Sequence, residues 1–198
     1  PANIEYIPTS CFEKCGIENL IIPNKVKTIA PSAFNNCGAL TNVTFGESLE
    51  TIEENAFQFT NISYLKFPDS LKKIGDSAFY DIDGLEKIEN WPESLESVGT
   101  LAFGGCGSLV EIPPIPARFK SIPDKLFSGC LSLSHVEIED GITQIGNDAF
   151  SECALTEITI PDSVTSIGSS AFSGCTGLTS VTMGNSVKNI GDYAFSGC

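Results

Sequence analysis

The feature that most constrains this chain is a phenylalanine that recurs along its whole length. Successive phenylalanine anchors lie 22, 23, 22, 24, 24, 23, 22 and 23 residues apart. The nine anchors are Phe12, Phe34, Phe57, Phe79, Phe103, Phe127, Phe150, Phe172 and Phe195. A fixed period of about 20 to 50 residues is the signature of a repeat architecture. We therefore divide the chain into eight full coils before interpreting any local pattern.

Each unit carries further apolar residues at fixed places after its anchor. In the last full unit these are Cys175, Leu178, Val181, Met183, Val187 and Ile190. One unit cannot bury such a set alone, so neighbouring units must stack and share it. The stretch from Leu178 to Met183 alternates and predicts a short strand with one face inward, and a second extended stretch carries Val187 and Ile190. The residues just before the anchor, such as 76–79, predict a single helical or 3₁₀ turn.

One unit fills the pattern Leu-x-x-Ile-x-Ile-Pro-x-x-Val-x-x-Ile-Gly-x-x-Ala-Phe-x-x-Cys without a gap. Its members are Leu155, Ile158, Ile160, Pro161, Val164, Ile167, Gly168, Ala171, Phe172 and Cys175. This unit resembles the BspA-type, or treponemal, leucine-rich repeat, and the resemblance covers essentially the whole chain. It implies an α/β solenoid: a right-handed leucine-rich-repeat superhelix with a parallel concave β-sheet and short turns or 3₁₀/helical segments, with a period of 22–24 residues.

The domain organisation predicted from the repeat is a single leucine-rich-repeat solenoid over residues 1–198, with about eight coils. The chain starts and stops partway through a unit, and neither end has the polar capping unit that a solenoid needs for solubility. We therefore expect a segment of a longer array, or ends that associate with another copy. The two units of 24 residues predict bulges near Asn90 and at Pro113–Pro114.

Seven of the eight cysteines stand three residues after an anchor phenylalanine. Thr60 and Ile82 hold the same place in two other units, which a packing position tolerates and a disulfide partner or metal ligand does not. We therefore expect a ladder of buried free thiols and no metal site. Cys11 and Cys198 are the thiols expected to be most exposed, and a bridge between chains through Cys198 is a further hypothesis.

Charge and motifs exclude several classes of function. The chain has 25 acidic against 11 basic residues, a net charge of -14, which would repel a nucleic acid backbone. No apolar run is long enough to insert into a membrane, and residues 1–8 lack the pattern of a signal peptide. There is one histidine and no phosphate-binding, dinucleotide-binding or nucleophile motif, so we expect neither an enzyme nor a cofactor. Cys130 and His135 are predicted to point inward and outward respectively.

The outward residues of the Leu-x-x-Val strands form the predicted concave surface. Glu89, Glu111, Glu137 and Glu157 are expected to stand in one column beside His135, either as a patch for a basic protein surface or as the solvated face of an acidic protein. The complete set of candidate binding residues is Tyr64, Lys66, Lys87, Glu89, Glu111, His135, Glu137 and Glu157. Trp91 is either an exposed anchor or, as the repeat alignment favours, a core residue.

These observations and the resemblance together lead to one functional expectation. The resemblance implies a noncatalytic protein-binding or adhesion module of a cell-surface or secreted protein, with a host extracellular or surface protein as partner. We expect binding through the concave sheet. The alternatives are a structural spacer or stalk, and a carbohydrate-binding surface that uses Tyr64 and Trp91 if they are exposed.

Overall fold

The computed structural model describes residues 3–198 and shows a parallel β-solenoid of about eight turns with almost no helix. Its fifteen strands are two or three residues long. They are β1 Tyr6–Ile7, β2 Asn19–Ile21, β3 Thr28–Ile29, β4 Asn42–Thr44, β5 Thr51–Ile52, β6 Tyr64–Leu65, β7 Lys73–Ile74, β8 Lys87–Ile88, β9 Ser97–Val98, β10 Ser121–Ile122, β11 Gln144–Ile145, β12 Glu157–Thr159, β13 Ser166–Ile167, β14 Ser180–Thr182 and β15 Asn189–Ile190. No described helix is long and apolar enough to cross a membrane.

The strands lie in two rows along the stack of coils, each divided into shorter sheets, and we call these rows the first and the second sheet. The first sheet contains the Leu-x-x-Val strands and pairs as β2-β4, β6-β8 and β12-β14. The second sheet contains the Val-x-x-Ile strands and is more continuous, with the orders β1-β3-β5-β7-β9 and β10-β11-β13-β15. Its register places isoleucine beside isoleucine, as in Ile29 beside Ile52 and Ile52 beside Ile74. Each coil therefore offers the next coil the same inward side chain.

The short turns of the prediction are present around each anchor, but its α/β character and its helical segments are not supported. Within residues 3–198 the structure has a single 3₁₀ turn, at Ala117–Phe119. Around each anchor the backbone instead alternates between negative and positive φ. The residues two before and two after the anchor are left-handed, as at Ser77 with φ 52° and Asp81 with φ 56°. A helix needs consecutive right-handed residues. The N–H groups of Ser77, Phe79 and Asp81 therefore donate to the next coil, at 2.9, 2.9 and 2.8 Å, and form what we call the turn ladder.

The core is built around a continuous stack of the anchor rings. Neighbouring anchors from Phe12 to Phe195 have ring centroids 5.1 to 5.9 Å apart and planes within 17° of parallel. A second file of rings, Phe45, Phe67 and Trp91, stacks beside it with centroids 5.9 and 6.5 Å apart. Each aromatic pair adds about 0.5–1.5 kcal/mol beyond its buried area. The repeat of phenylalanine thus follows from each ring packing against its own counterpart one coil away.

The cysteine ladder is confirmed, and the structure adds a role for it. All eight cysteines are free, and Cys11 and Cys198 are exposed as expected. The thiols of Cys106, Cys130, Cys153 and Cys175 donate to the anchor carbonyl of the preceding coil at 3.2, 3.3, 3.2 and 3.1 Å. The place therefore favours a small side chain that can donate a hydrogen bond.

The two exceptions to the cysteine ladder are coupled to each other. Ile82 cannot donate to the anchor carbonyl of the coil before it, which is that of Phe57. The hydroxyl of Thr60 donates to this same carbonyl at 2.9 Å. Thr60 thus supplies the hydrogen bond that Ile82 cannot make.

Both predicted bulges are confirmed. The amide of Asn90 accepts from the N–H of Phe67 and donates to its carbonyl, each at 3.0 Å, so that a side chain replaces a peptide group in the ladder. For the second bulge, the offset between two neighbouring coils falls from 24 residues at the anchors Phe103 and Phe127 to 23 at Ile115 and Ile138. One extra residue is therefore inserted between Phe103 and Ile115, the stretch that contains Pro113–Pro114.

The structure also confirms that Trp91 belongs to the core, because its side chain is only 8% exposed. Its indole N–H donates to the carbonyl of Pro113 at 3.2 Å. The guanidinium of Arg118 reaches back and donates to the carbonyls of Trp91 and Pro92 at 2.7 and 2.8 Å. Arg118 thus satisfies backbone groups that the irregular coil leaves without a sheet partner.

Candidate functional site

The first sheet positions most of the candidate binding residues by simple strand alternation. Tyr64 and Lys87 begin strands β6 and β8, and the residue that follows each of them, Leu65 or Ile88, is buried. Because successive side chains of a strand point to opposite faces, Tyr64 and Lys87 point away from the core. The register places these two residues side by side.

Four of the eight candidates form one polar cluster around Lys87. The ammonium of Lys87 lies 2.8 Å from Oε1 of Glu111 and 3.7 Å from Oε2 of Glu89. The hydrogen bond that Lys87 donates to Glu111 raises the pKa of Lys87, and desolvation together with the nearby carboxylate of Glu89 raises the pKa of Tyr64. Exposed ion pairs add little to stability. The contacts instead hold the side chains in a fixed arrangement. We call the four residues, Tyr64, Lys87, Glu89 and Glu111, the Lys87 cluster.

The predicted single column of glutamates is wrong. Glu111 pairs with Lys87, and Glu157 pairs with Ser180, whereas Glu89 comes two residues after Lys87 in the same coil. The carboxylates therefore occupy two different places in the repeat, and the ammonium of Lys87 lies between those of Glu89 and Glu111. The contact between Lys87 and Glu111 was not predicted, because the extra residue near Asn90 lengthens the offset between their coils to 24 residues.

The other four candidates are not drawn into the cluster. They are Lys66, His135, Glu137 and Glu157, and all four are exposed. No ion pair within residues 3–198 includes any of them. The expected separation of Cys130 and His135 is confirmed, because Cys130 is buried and His135 is exposed. In the described part of the chain, no three His, Cys, Asp or Glu side chains are grouped to hold a metal ion.

An open groove of about 450 Å³, which was not predicted from the sequence, lies on the same face. It lies where the first sheet is interrupted, since no strand pairing joins β4 to β6 in the described chain. Its lining residues are Asn42, Val43, Thr44, Phe45, Glu47, Tyr64, Lys66, Phe67 and Pro68. The sequence signal was a phenylalanine, Phe45 and then Phe67, at the last inward place of two successive strands.

Tyr64 joins the groove to the Lys87 cluster, because it lines the groove and lies beside Lys87 in the strand register. The arrangement offers an apolar recess bordered on one side by charged groups. It brings together Tyr64, Lys66 and Lys87 from the predicted set. Burial of Trp91 overturns the part of the carbohydrate hypothesis that required this ring to be exposed.

Comparison with known proteins gives the same fold. No curated protein matches the chain. A leucine-rich repeat protein from Bacteroides ovatus is 25% identical with a TM-score of 0.68, over 98% of this chain and 68% of that one. The leucine-rich repeat protein of T. pallidum is 24% identical with a TM-score of 0.70, over 90% and 76% of the two chains. The pneumococcal vaccine antigen PcpA is 22% identical with a TM-score of 0.72, over 98% and 54%.

The sequence itself matches the family described as the BspA type leucine rich repeat region. Six copies of the repeat match, over residues 5–118 and 113–198. Together these ranges contain all nine anchors, the cysteine ladder and both sheets. The chain therefore belongs to the BspA-type leucine-rich repeat family.

Proposed function

We propose that this solenoid is a noncatalytic binding module of a cell-surface or secreted protein, and that it binds a protein through the outward side of the first sheet. The observation that carries the proposal is the groove between β4 and β6 and its continuity with the Lys87 cluster through Tyr64, which lines the groove and lies beside Lys87. An apolar recess rimmed by polar groups is the usual arrangement at the centre of a protein interface. Surface location rests on membership of the BspA-type family.

The chemistry of the face favours a partner with an apolar side chain flanked by basic residues. Phe45 and Phe67 form apolar walls of the groove, and Glu47 lies at its edge. The Lys87 cluster combines one lysine with two carboxylates, and the chain as a whole has a net charge of -14. Complementary charge of this kind speeds association and excludes wrong partners. Host extracellular or surface proteins with basic patches are therefore the partner class.

The first experiment is surface plasmon resonance against a panel of immobilised extracellular-matrix proteins. The test variant is Tyr64→Ala with Lys66→Ala. The matched control is Tyr6→Ala with Lys27→Ala, which removes an exposed tyrosine and an exposed lysine from the region of the second sheet. We expect the test variant to lose about tenfold or more in affinity, as for a central interface residue, and the control to keep its affinity.

A second variant separates a charged binding patch from a merely solvated face. Glu89→Gln with Glu111→Gln keeps the shape of both side chains and removes their charge. We expect slower association and a weaker dependence on salt, because a rim charge acts mainly on the association rate. Equal affinities for all variants, or no binding to any protein of the panel, would favour the structural spacer.

A further inference from the structure

A second surface feature lies along the turn ladder, at a different place in the repeat unit from the groove. It is an open trough of about 500 Å³ that runs along the stack from Tyr80 to Gly174. Ser128, Ser151 and Ser173 line it, each directly after an anchor phenylalanine. Asp148 and Glu152 also line it.

The trough opens because the residue after the anchor changes partway along the chain. In the N-terminal coils this place holds Asn35 and Gln58, whose amides bond each other at 2.9 Å and fill the surface. Tyr80 follows, and after it come Gly104 and then serines. The side chains after Tyr80 are smaller, so the surface is lower there, and the ring of Tyr80 forms one end of the trough.

An aromatic pair stands at that end. The rings of Phe59 and the half-buried Tyr80 meet edge to face with centroids 5.8 Å apart. Phe59 is 39% exposed and left-handed, with φ 57°, at a place that polar residues such as Asp81 and Glu152, or a glycine, hold in other coils. A left-handed bulky residue costs roughly 1 kcal/mol or more, which is about as much as the edge-to-face contact returns. The pair therefore adds little net stability to the fold.

The trough is rich in hydrogen-bond acceptors. The hydroxyl of Ser151 donates to the carbonyl of Asp148 at 3.1 Å, so the hydroxyl of Ser128, 2.8 Å away, donates to Ser151. This leaves the oxygen of Ser128 free to accept from a ligand. The carboxylates of Asp148 and Glu152 add further acceptors against one cation, Lys125. A suitable ligand must bring several donors, an apolar face for Tyr80 and no negative charge.

We propose that this trough binds a short neutral oligosaccharide. A sugar ring offers an apolar face that stacks on Tyr80, and its hydroxyls donate to Ser128, Asp148 and Glu152. Phe59 contacts the ring of Tyr80 edge to face and acts as a positioning residue. The trough crosses several coils, each rising about 4.8 Å, and so accommodates a linear chain better than a single sugar.

Isothermal titration calorimetry of the full chain tests the proposal with defined probes. They are chitotetraose, cellotetraose and mannotetraose, with tetragalacturonate as the anionic comparison. At least one neutral tetrasaccharide should bind, and Tyr80→Ala should weaken it about tenfold, the cost of a central aromatic contact. Tyr64→Ala, on the first sheet, should leave this binding unchanged. The two faces are thereby tested independently.

Phe59→Gly separates a role in binding from a role in packing. It should weaken the tetrasaccharide while urea denaturation shows no loss of stability, because glycine relieves the left-handed strain. The proposal is overturned if no neutral tetrasaccharide binds, if tetragalacturonate binds equally well, or if Tyr80→Ala binds like the parent chain. It is also overturned if Phe59→Gly destabilises the fold and leaves binding intact.

Discussion

The buried thiols make the stability of this protein sensitive to alkaline pH. Burial raises the pKa of Cys106 from 9.0 to about 12 and that of Cys175 to about 11, and it also raises the pKa values of Cys130 and Cys153. In the unfolded chain the same thiols ionise near their ordinary pKa of 9.0. Between these limits the unfolded state binds fewer protons than the folded state. The free energy of unfolding therefore falls as the pH rises through this window.

The magnitude follows from the linkage relation. At pH 10 an unfolded thiol is one unit above its pKa, which stabilises the unfolded state by about 1.4 kcal/mol relative to pH 7. Four buried thiols together lower the free energy of unfolding by about 5–6 kcal/mol. This is comparable with the total stability of an ordinary domain, about 5–15 kcal/mol. The parent chain should therefore lose a large part of its stability by pH 10.

The assay is urea denaturation followed by circular dichroism at pH 7, 8.5 and 10 in a reducing buffer. The control replaces Cys106, Cys130, Cys153 and Cys175 by threonine, the residue that the chain itself uses at this place in Thr60. Tyrosine and lysine titrations are shared and cancel in the comparison. The parent should lose about 5–6 kcal/mol more than the variant between pH 7 and 10. Equal losses would refute the reasoning and show that the thiols are accessible to water in the folded state.

Three further predictions concern the packing of the coils, and the first two are measured by urea denaturation. Gly168→Ala should cost about 1–3 kcal/mol, because a Cβ atom there would lie 2.6 Å from the backbone of the coil before it, whereas Gly38→Ala, with nothing within 4 Å, should be nearly neutral. Asn90→Ala should cost about 1–3 kcal/mol by removing both hydrogen bonds to the ladder, and a cost under 0.5 kcal/mol would show that water replaces them. In the parent chain, iodide should quench the fluorescence of Trp91 weakly, and Arg118→Ala should increase that quenching; an unchanged quenching constant would contradict the role of Arg118.

The buried residues could be predicted from the sequence for a physical reason. In a solenoid the neighbour of each buried residue is its own counterpart one coil away, so the periodicity of Phe172 or Cys175 directly reports a contact. The helical turn failed because the left-handed residues beside each anchor are mostly not glycine. Serine and aspartate, such as Ser77 and Asp81, favour both helix caps and left-handed turns, so composition alone does not separate the two.

The candidate site was predicted in outline, and its geometry was not. Strand alternation identified Tyr64 and Lys87 as outward residues. It did not reveal the ion pair of Lys87 with Glu111, because that contact depends on a register shifted by one inserted residue. It also did not reveal the groove, which arises where two strands fail to pair. Register and sheet breaks depend on backbone hydrogen bonds, which a side-chain pattern reports only indirectly.

Departures from the repeat therefore fall into two kinds, and the distinction indicates where function lies. Some are compensated inside the fold: Asn90 replaces a peptide group, Arg118 satisfies two free carbonyls, and Thr60 supplies the hydrogen bond that Ile82 lacks. These need no partner to explain them. Phe59 is of the other kind, because its backbone is left-handed, its ring is 39% exposed, and the ring that it contacts is Tyr80, which lines the trough. The proposed binding of a saccharide gives this departure a role that packing within the chain does not require.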